Sequence, residues 1–283
     1  MSVQFRNYDD QYYPVVRQFL IELSQNDPKH LNWNWARWEW MIYHPDFDHH
    51  HKSKIGLWFK DDELIGLVTY DLYFGEAWFA EKKGSQELQK ELLEYAIDHF
   101  SDKNGLGIAV NDEDEKTIKL LESYQFKKNE NKEWLLSISL YDLDFNSDIN
   151  EDFYKHQAVL WKGFNHDGEV PADEESLQKH QRMMSAPNLN PDLHIAAQNR
   201  NGEFVAYCGC WYDPQTSYAY IEPVCTIPEY RGQGLGTTVV IEALRRCKLN
   251  GATEAYVISN DHFYKKLGFS EHAQYTFYWH NTN

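Results

Sequence analysis

The sequence predicts an α/β protein of two tandem units, each a mixed, mostly antiparallel sheet flanked by helices. Three observations carry that reading. Lys54 to Asp71 (KIGLWFKDDELIGLVTYD) is echoed 140 positions on by His194 to Asp213 (HIAAQNRNGEFVAYCGCWYD), each a strand, a polar turn and a second strand closing on Tyr-Asp. Around both segments, two-residue and 3.6-residue apolar periodicities alternate in the same order. Tyr141 to Asn150 (YDLDFNSDIN) is polar and turn-rich, so the units are expected at residues 1–142 and 143–283.

In order, Asp9 to Ser24 and Leu31 to Tyr43 read as helices ahead of the first strand pair. Glu151 to Phe164 and Glu174 to Ser185 do the same ahead of the second. A third strand follows in each unit, then a helix (Gln86 to Phe100; Thr237 to Leu249) and a strand (Gly107 to Val110; Ala255 to Ile258). A short helix running into a Gln-Phe or Gly-Phe pair comes next (Leu120 to Phe126; Phe263 to Phe269), and a last strand closes the unit. Thr237 to Leu249 puts Val240, Ile241, Leu244 and Cys247 on one helical face, and Asn250-Gly251 ends it. Helices alternating with strands in this way define the α/β class.

Composition narrows the partners. Of 283 residues, 44 are acidic and 27 basic, a net charge of −17 shared by both halves. Such a surface argues against nucleic acid or an anionic membrane and suits a cationic substrate. The start, MSVQFRNYDDQYY, lacks a basic stretch followed by an apolar core, and no run is apolar enough to span a membrane; a cytoplasmic chain is expected. Cys208, Cys210, Cys225 and Cys247 lack zinc-type spacing and are expected to be reduced and buried.

The chemistry concentrates in Arg231-Gly232-Gln233-Gly234-Leu235-Gly236, between the β-branched and aromatic run Tyr218 to Thr226 and the apolar helix that follows. A strand, a glycine-rich turn and a helix start make an anion site, because glycines admit close approach and the first helical N–H groups point outward with the dipole behind them. A P-loop would end in Gly-Lys-Ser/Thr, and a dinucleotide fingerprint would space its glycines Gly-x-Gly-x-x-Gly; neither fits. The site is therefore expected to take a phosphate-bearing cofactor.

Residues 221–236 (IEPVCTIPEYRGQGLG), joined to Phe263-Tyr264-Lys265-Lys266-Leu267-Gly268-Phe269, resemble the GNAT superfamily of acetyl-CoA-dependent N-acetyltransferases. That family's cofactor loop, Arg/Gln-x-x-Gly-x-Gly/Ala, is matched by Arg231, Gly234 and Gly236, and a Tyr-x-x-x-Gly-Phe tail by Tyr264, Gly268 and Phe269. The resemblance covers residues 150–280 in motif and residues 1–142 in architecture only. It implies two tandem GNAT-like units and acetyl-CoA as cosubstrate, with no metal. The pyrophosphate would lie over the N–H groups from Gln233 to Thr237, Leu235 and Gly236 included, with Gly232 and Arg231 opening the loop. The pantetheine arm would run beside Val224, Cys225 and Thr226, and an N–H near Val224 would serve the oxyanion.

By the same resemblance Tyr264 is the acid near the CoA sulfur and Glu222 the candidate base, with a water chain or simple attraction of the substrate ammonium as alternatives for Glu222. The family's cofactor-contacting Asn sits about seven residues before the Tyr; here Asn260 is only four before, which leaves helix capping as its plainer role. The first half departs where it matters. Ala80 to Leu88 (AEKKGSQEL) has one glycine, Leu121 stands opposite Tyr264, and Gln125 replaces the final glycine, so residues 1–142 read as a degenerate unit. The expected function is acetyl transfer to a primary amine of a small molecule in a ternary complex, by a monomer or homodimer. A non-catalytic acyl-CoA sensor and a protein or peptide N-acetyltransferase remain open.

Three further features have plainer readings. Trp33, Trp35, Trp38 and Trp40 are expected to pack a core, with cation–π capture of an amine as the alternative. His49-His50-His51 reads as a solvated turn and His262 as an exposed residue beside a helix start.

Overall fold

A computed structural model describes residues 3–141 and 156–281. The expected seam at 142–150, the 142/143 boundary and positions 151–155 of the Glu151 to Phe164 helix lie outside the described residues. In chain order the first elements are β1 (Gln4–Asn7), α1 (Tyr13–Asn26), α2 (Trp35–Tyr43), β2 (Gly56–Lys60), β3 (Glu63–Tyr70), β4 (Glu76–Glu81), α3 (Gln89–Phe100), β5 (Leu106–Asn111), α4 (Glu115–Ser123) and β6 (Lys127–Ser139). Then come α5 (His156–Gly163), α6 (Glu174–Met184), β7 (Ile195–Gln198), β8 (Phe204–Tyr212), β9 (Tyr218–Thr226), α7 (Leu235–Leu249), β10 (Glu254–Ile258), α8 (His262–Lys266) and β11 (Ser270–His280). No helix among the described residues is long and apolar enough to cross a membrane.

Two compact units result. The first comprises Met1–Leu135, Ile258–Asn260 and Glu271–Asn283; the second comprises Leu136–Val257 and Asp261–Ser270. The sequence suggests one cut, yet the last strand counts with the first unit. There β11 runs antiparallel to β5, from Tyr275 opposite Asn111 to His280 opposite Leu106. Gly107 explains the fit: a Cβ there would meet the Trp279 ring at 2.4 Å, and the indole donates to the Asn104 carbonyl at 3.1 Å. Alternation announces a strand, whereas its partner is chosen by cross-strand contacts like this one.

Within the first unit, β1 to β4 pair antiparallel, and β4 joins β5 in parallel over Glu76 and Ala77. Within the second, β7, β8 and β9 pair antiparallel, and β9 joins β10 in parallel over Tyr218 to Tyr220. The echoed segments take the same register, Tyr70 facing Ala77 on β4 and Tyr212 facing Ala219 on β9. The ends of α4 and α8 match bond for bond: the Phe126 N–H donates to the Leu121 carbonyl at 3.1 Å, and the Phe269 N–H to the Tyr264 carbonyl at 3.1 Å. Leu121 is thus the counterpart of Tyr264.

Two local differences have clear causes. The expected Leu31 to Tyr43 helix divides at Asn34, whose side chain accepts from the Ala36 and Arg37 N–H groups and so starts α2 afresh after a 3-10 turn at Pro28–Trp33. Strand β1 was not expected; four residues, three of them exposed, carry too little alternation to show. Trp33, Trp35 and Trp38 are core residues at 4% exposure or less, and the nearby cations are the chain's own, Arg37 over Trp33 and Arg17 over Trp35, each at 4.8 Å. His49 to His51 sit in a 3-10 turn capped by Asp48, with His51 stacked on Phe74.

The second unit's core lies on both faces of its sheet. One cluster includes Val240, Leu244, Cys247, Cys208, Cys210 and Tyr264; the other joins Val159 to Tyr207 and Cys225. All four cysteines are free and buried. Helix α7 also buries Glu242, which accepts from Arg245 Nε at 2.7 Å and Arg246 Nε at 2.8 Å, so its charge is paired where water is absent.

Candidate active site of the second unit

The parallel pairing of β9 with β10 stops at Tyr220, which leaves the rest of β9 with an open edge. On the other side β9 stays paired, with Thr226, Cys225 and Val224 opposite Ala206, Tyr207 and Cys208. The Ile227 N–H donates to the Val205 carbonyl at 3.0 Å, and main-chain groups alternate sides in an antiparallel pair. Cys225 therefore turns its groups toward β8, while Val224 and Thr226 turn theirs to the open edge. The Thr226 carbonyl is already taken by Arg231 Nε at 2.9 Å, so Val224 is the free position of the three. The Cys225 thiol packs against α5, donating to the Val159 carbonyl at 3.4 Å, and burial pushes it up to about 12.

The glycine-rich turn follows. Gly232 and Gly234 adopt φ of 76° and 82°, the left-handed region, and a Cβ at either would meet nothing within 4 Å. Conformation requires glycine here, and the space in front is open. Helix α7 starts at Leu235, two residues before the expected Thr237, and no side chain caps it. Its first inward bond runs from the Thr238 N–H to the Gly234 carbonyl at 3.0 Å; the Leu235, Gly236 and Thr237 N–H groups have no acceptor among the described residues. At Gly236 a Cβ would sit 3.1 Å from Thr226 Oγ1 and 3.6 Å from the Phe263 ring, so glycine lets the helix start approach both β9 and α8.

Arg231 does not turn its charge into this turn. Its guanidinium donates to the Thr226 carbonyl, to the Gly163 carbonyl at 2.8 Å and to Asn165 Oδ1 at 2.9 Å. It thereby satisfies a terminal carbonyl of α5 and ties α5 to the end of β9. Gln233 donates through Nε2 to the Glu229 carbonyl at 3.3 Å.

Tyr264 projects from α8 into the first core cluster, 9% exposed, with Phe263 and Phe269 edge-on at 5.0 and 5.6 Å. Burial, with Cys208, Glu222, Asp261 and Cys225 adding to it, holds the phenol well above its ordinary value, so it keeps its proton at neutral pH. The cap of α8 is Asp261, which accepts from the Phe263 N–H at 2.8 Å. The capping role expected of Asn260 thus belongs to its neighbour; Asn260 is exposed and counts with the first unit, and His262 is exposed.

Glu222 lies in a β-bulge. Between Cys208 opposite Val224 and Cys210 opposite Ile221, β9 has two residues where β8 has only Gly209. A Cβ on Gly209 would come within 2.6 Å of the Glu222 carbonyl. That carbonyl accepts from Trp211 Nε1 at 2.9 Å, and the Glu222 carboxylate accepts from the Tyr220 hydroxyl at 2.6 Å. Sequence reading passed over Tyr220, although residues two apart on a strand share a face and Tyr220-Ile221-Glu222 carries that signal. It also passed over a polar group on β8's α5 side. Here His194 Nδ1 bonds to the Tyr207 hydroxyl, and the Tyr207 ring lies 4.0 Å from that of His156. Burial lowers His194 to about 3 and keeps His156 far below its ordinary value as well.

Part of the chain matches a known family in sequence, and the whole chain is similar to solved structures in fold. The profile of the Acetyltransferase (GNAT) family matches residues 151–269. A Bacillus subtilis (strain 168) protein, "Putative [ribosomal protein bS18]-alanine N-acetyltransferase", is 34% identical over 85 residues, which are 28% of this chain and 55% of that protein. The match thus spans about half that relative's length. Among solved structures, a tandem GNAT protein from the clavulanic acid biosynthesis pathway superposes with a TM-score of 0.64 at 12% identity, covering 99% of this chain and 98% of that one. A GCN5-related N-acetyltransferase from Sphaerobacter thermophilus gives 0.60 at 12% identity, covering 99% and 95%. At such identity the likeness is one of fold, and it extends along both units. Residues 151–269 thus match the GNAT acetyltransferase family, and the likeness in fold runs along the whole chain.

Proposed function

We propose that the second unit transfers acetyl from acetyl-CoA to the primary amine of a small molecule, directly, in a ternary complex. The observation that carries this is the uncapped start of α7, with open space before Gly232 and Gly234, beside the open edge of β9 and close to α8. Free N–H groups without acceptors fit a pyrophosphate, and the free main-chain groups of Val224 fit an amide-bearing arm. When bound, acetyl-CoA supplies an acetyl group activated as a thioester.

The chain's own residues then have distinct tasks. The N–H groups of Leu235, Gly236 and Thr237 hold the anion. The Val224 N–H, on the open edge, is the donor for a developing oxyanion. Glu222, oriented by Tyr220, attracts the ammonium and takes its proton directly or through water. Tyr264 remains a phenol and donates to the sulfur. A phenol above its usual value of about 10 is a weaker acid than a thiol near 8.5, so it serves by hydrogen bonding as charge develops. Arg231 acts as a positioning residue. The first unit reads as a degenerate repeat, and the four buried free cysteines support a cytoplasmic setting.

A second reading is acetylation of a protein or peptide α-amine, favoured by the name of the Bacillus relative. One experiment separates the readings: CoA release from acetyl-CoA across a panel of small amines and peptides beginning with Ala. Turnover of small amines supports the first reading, and turnover of the peptides alone favours the second. Binding of acetyl-CoA with no release on any acceptor overturns both and leaves a sensor. Parallel rather than intersecting initial-rate lines would rule out the ternary complex.

A further inference from the structure

Two side chains on neighbouring strands grip Glu222. Trp211 on β8 stands opposite Tyr220 on β9, so the two share one face of the sheet. Both donate to Glu222, the indole N–H to its carbonyl at 2.9 Å and the phenol to its carboxylate Oε2 at 2.6 Å. Trp211 and Tyr220 are 2% and 1% exposed, and the His194 ring lies edge-on to the indole at 5.7 Å, so packing fixes both donors. The bulge adds a third constraint. It sets Glu222 and Pro223 against Gly209 alone, where a Cβ would meet the Glu222 carbonyl at 2.6 Å and Pro223 Cδ at 2.9 Å. The carbonyl is thus confined between an N–H donor and a bare Cα. The plane of that peptide decides where the Glu222 side chain leaves the strand and how the chain runs on to Val224.

We propose that Trp211 is a positioning residue for the acceptor amine: it fixes the main chain of Glu222 while Tyr220 fixes the carboxylate, and the two hold that carboxylate where the ammonium is met. The inference rests on the acetyl-transfer reading, in which Glu222 attracts the ammonium and takes its proton. A glutamate on a bulged strand has freedom in its stem and in its backbone, and both must be ordered before a proton moves. A hold at each end of the residue removes that freedom before the amine arrives, which leaves less ordering to the reaction. Cys208 and Cys210 belong to the cluster that contains Tyr264, so Trp211, one residue on, faces the opposite side of the sheet. Loss of its N–H is therefore felt through Glu222 and leaves the phenol and the start of α7 in place.

The test follows CoA release by the full chain on n-butylamine, putrescine and the dipeptide alanylglycine, and takes kcat/KM on the best of the three. Trp211→Phe keeps a ring and removes the N–H. It is expected to lower kcat/KM for the amine about tenfold, with acetyl-CoA affinity unchanged in calorimetry. Glu222→Gln is expected to cost about 30-fold. Because Trp211 acts through Glu222, the double variant is expected to lose about 30-fold as well, rather than the roughly 300-fold of two independent losses. Gly209→Ala presses on the same carbonyl from the other side, so it is expected to repeat the Trp211→Phe pattern and replaces that variant should it fail to fold. Losses that multiply, an unchanged kcat/KM, or a fall in acetyl-CoA affinity equal to the fall in rate would leave Trp211 a structural residue and overturn the proposal. No release on any acceptor overturns the acetyl-transfer reading and this inference together, whereas release with multiplying losses overturns this inference alone.

Discussion

Helices α7 and α3 follow equivalent strands and open in opposite ways. At α7 the cap is Gly234 in the left-handed region, no side chain closes it, and three N–H groups have no acceptor among the described residues. At α3 a 3-10 turn at Gln86–Leu88 comes first and closes on itself. Its Leu88 N–H donates to the Ser85 carbonyl at 3.0 Å, the Gln89 N–H to the Gln86 carbonyl, and the Gly84 N–H to Gln86 Oε1 at 3.1 Å. Leu121 completes the contrast, an alkyl group where the second unit has a phenol. The same fold thus starts one helix directly at a glycine and the other through a 3-10 turn that takes up N–H groups inside the chain.

The sharpest way to break the comparison is to close the open helix start. Gly234→Glu puts a carboxylate before the dipole's positive end and forces a side chain into the left-handed region. Acetyl-CoA affinity is expected to fall by at least about 100-fold in calorimetry. Retained tight binding would remove the phosphate role of the loop. On the wild type the same calorimetry is expected to count one acetyl-CoA per chain; two would make the α3 start functional after all. Tyr264→Phe comes next in size. Turnover is expected to drop by about 100-fold with acetyl-CoA affinity unchanged, whereas an unaltered rate would take the phenol out of the chemistry.

Much of this contrast was legible in the sequence, because it rests on local rules. Gly232, Gly234 and Gly236 announce backbone conformations and close approach, and their lack in Ala80 to Leu88 announces the closed counterpart. The bonds of Arg231 could not be read from its neighbours, because its acceptors at Gly163 and Asn165 lie some 66 to 68 residues away in sequence. Asn260 and Asp261 show the same limit on a smaller scale, since both are good caps and only the backbone geometry selects Asp261. The pairing of β11 with β5 was invisible because alternation does not name a partner.

Protonation offers a subtler contrast. His194 has a lowered folded value, about 3 against 6.5, so the unfolded state binds the extra proton between them and stability falls as pH drops below 6.5. In the first unit, Glu81 is raised by burial to about 7 from 4.5; the folded state binds the proton there, and stability falls as pH rises through that window. From pH 7.5 to 5 the two effects oppose, each on the order of 2 kcal/mol. Melting-temperature profiles of His194→Gln and Glu81→Gln are expected to diverge from the wild type in opposite directions as pH falls. Profiles parallel to the wild type would show that neither group is coupled to folding.

The smallest expected effect tests the repeat itself. Gln125 and Gly268 occupy the same position after α4 and α8, with φ of 64° and 99°. A side chain pays there for crowding between its Cβ and the following carbonyl, and glycine does not. Gly268→Gln is expected to destabilise by about 1 kcal/mol or slightly more, since its Cβ also meets Ile138 Cδ1 at 3.4 Å. Gln125→Gly relieves the same crowding but gains freedom in the unfolded chain, which leaves about 0.5 kcal/mol of stabilisation in urea unfolding. Opposite signs are required if both turns descend from one design. If Gln125→Gly destabilises, the glutamine side chain does something in the first unit that its glycine counterpart never did, and the two helix ends are alike in backbone only.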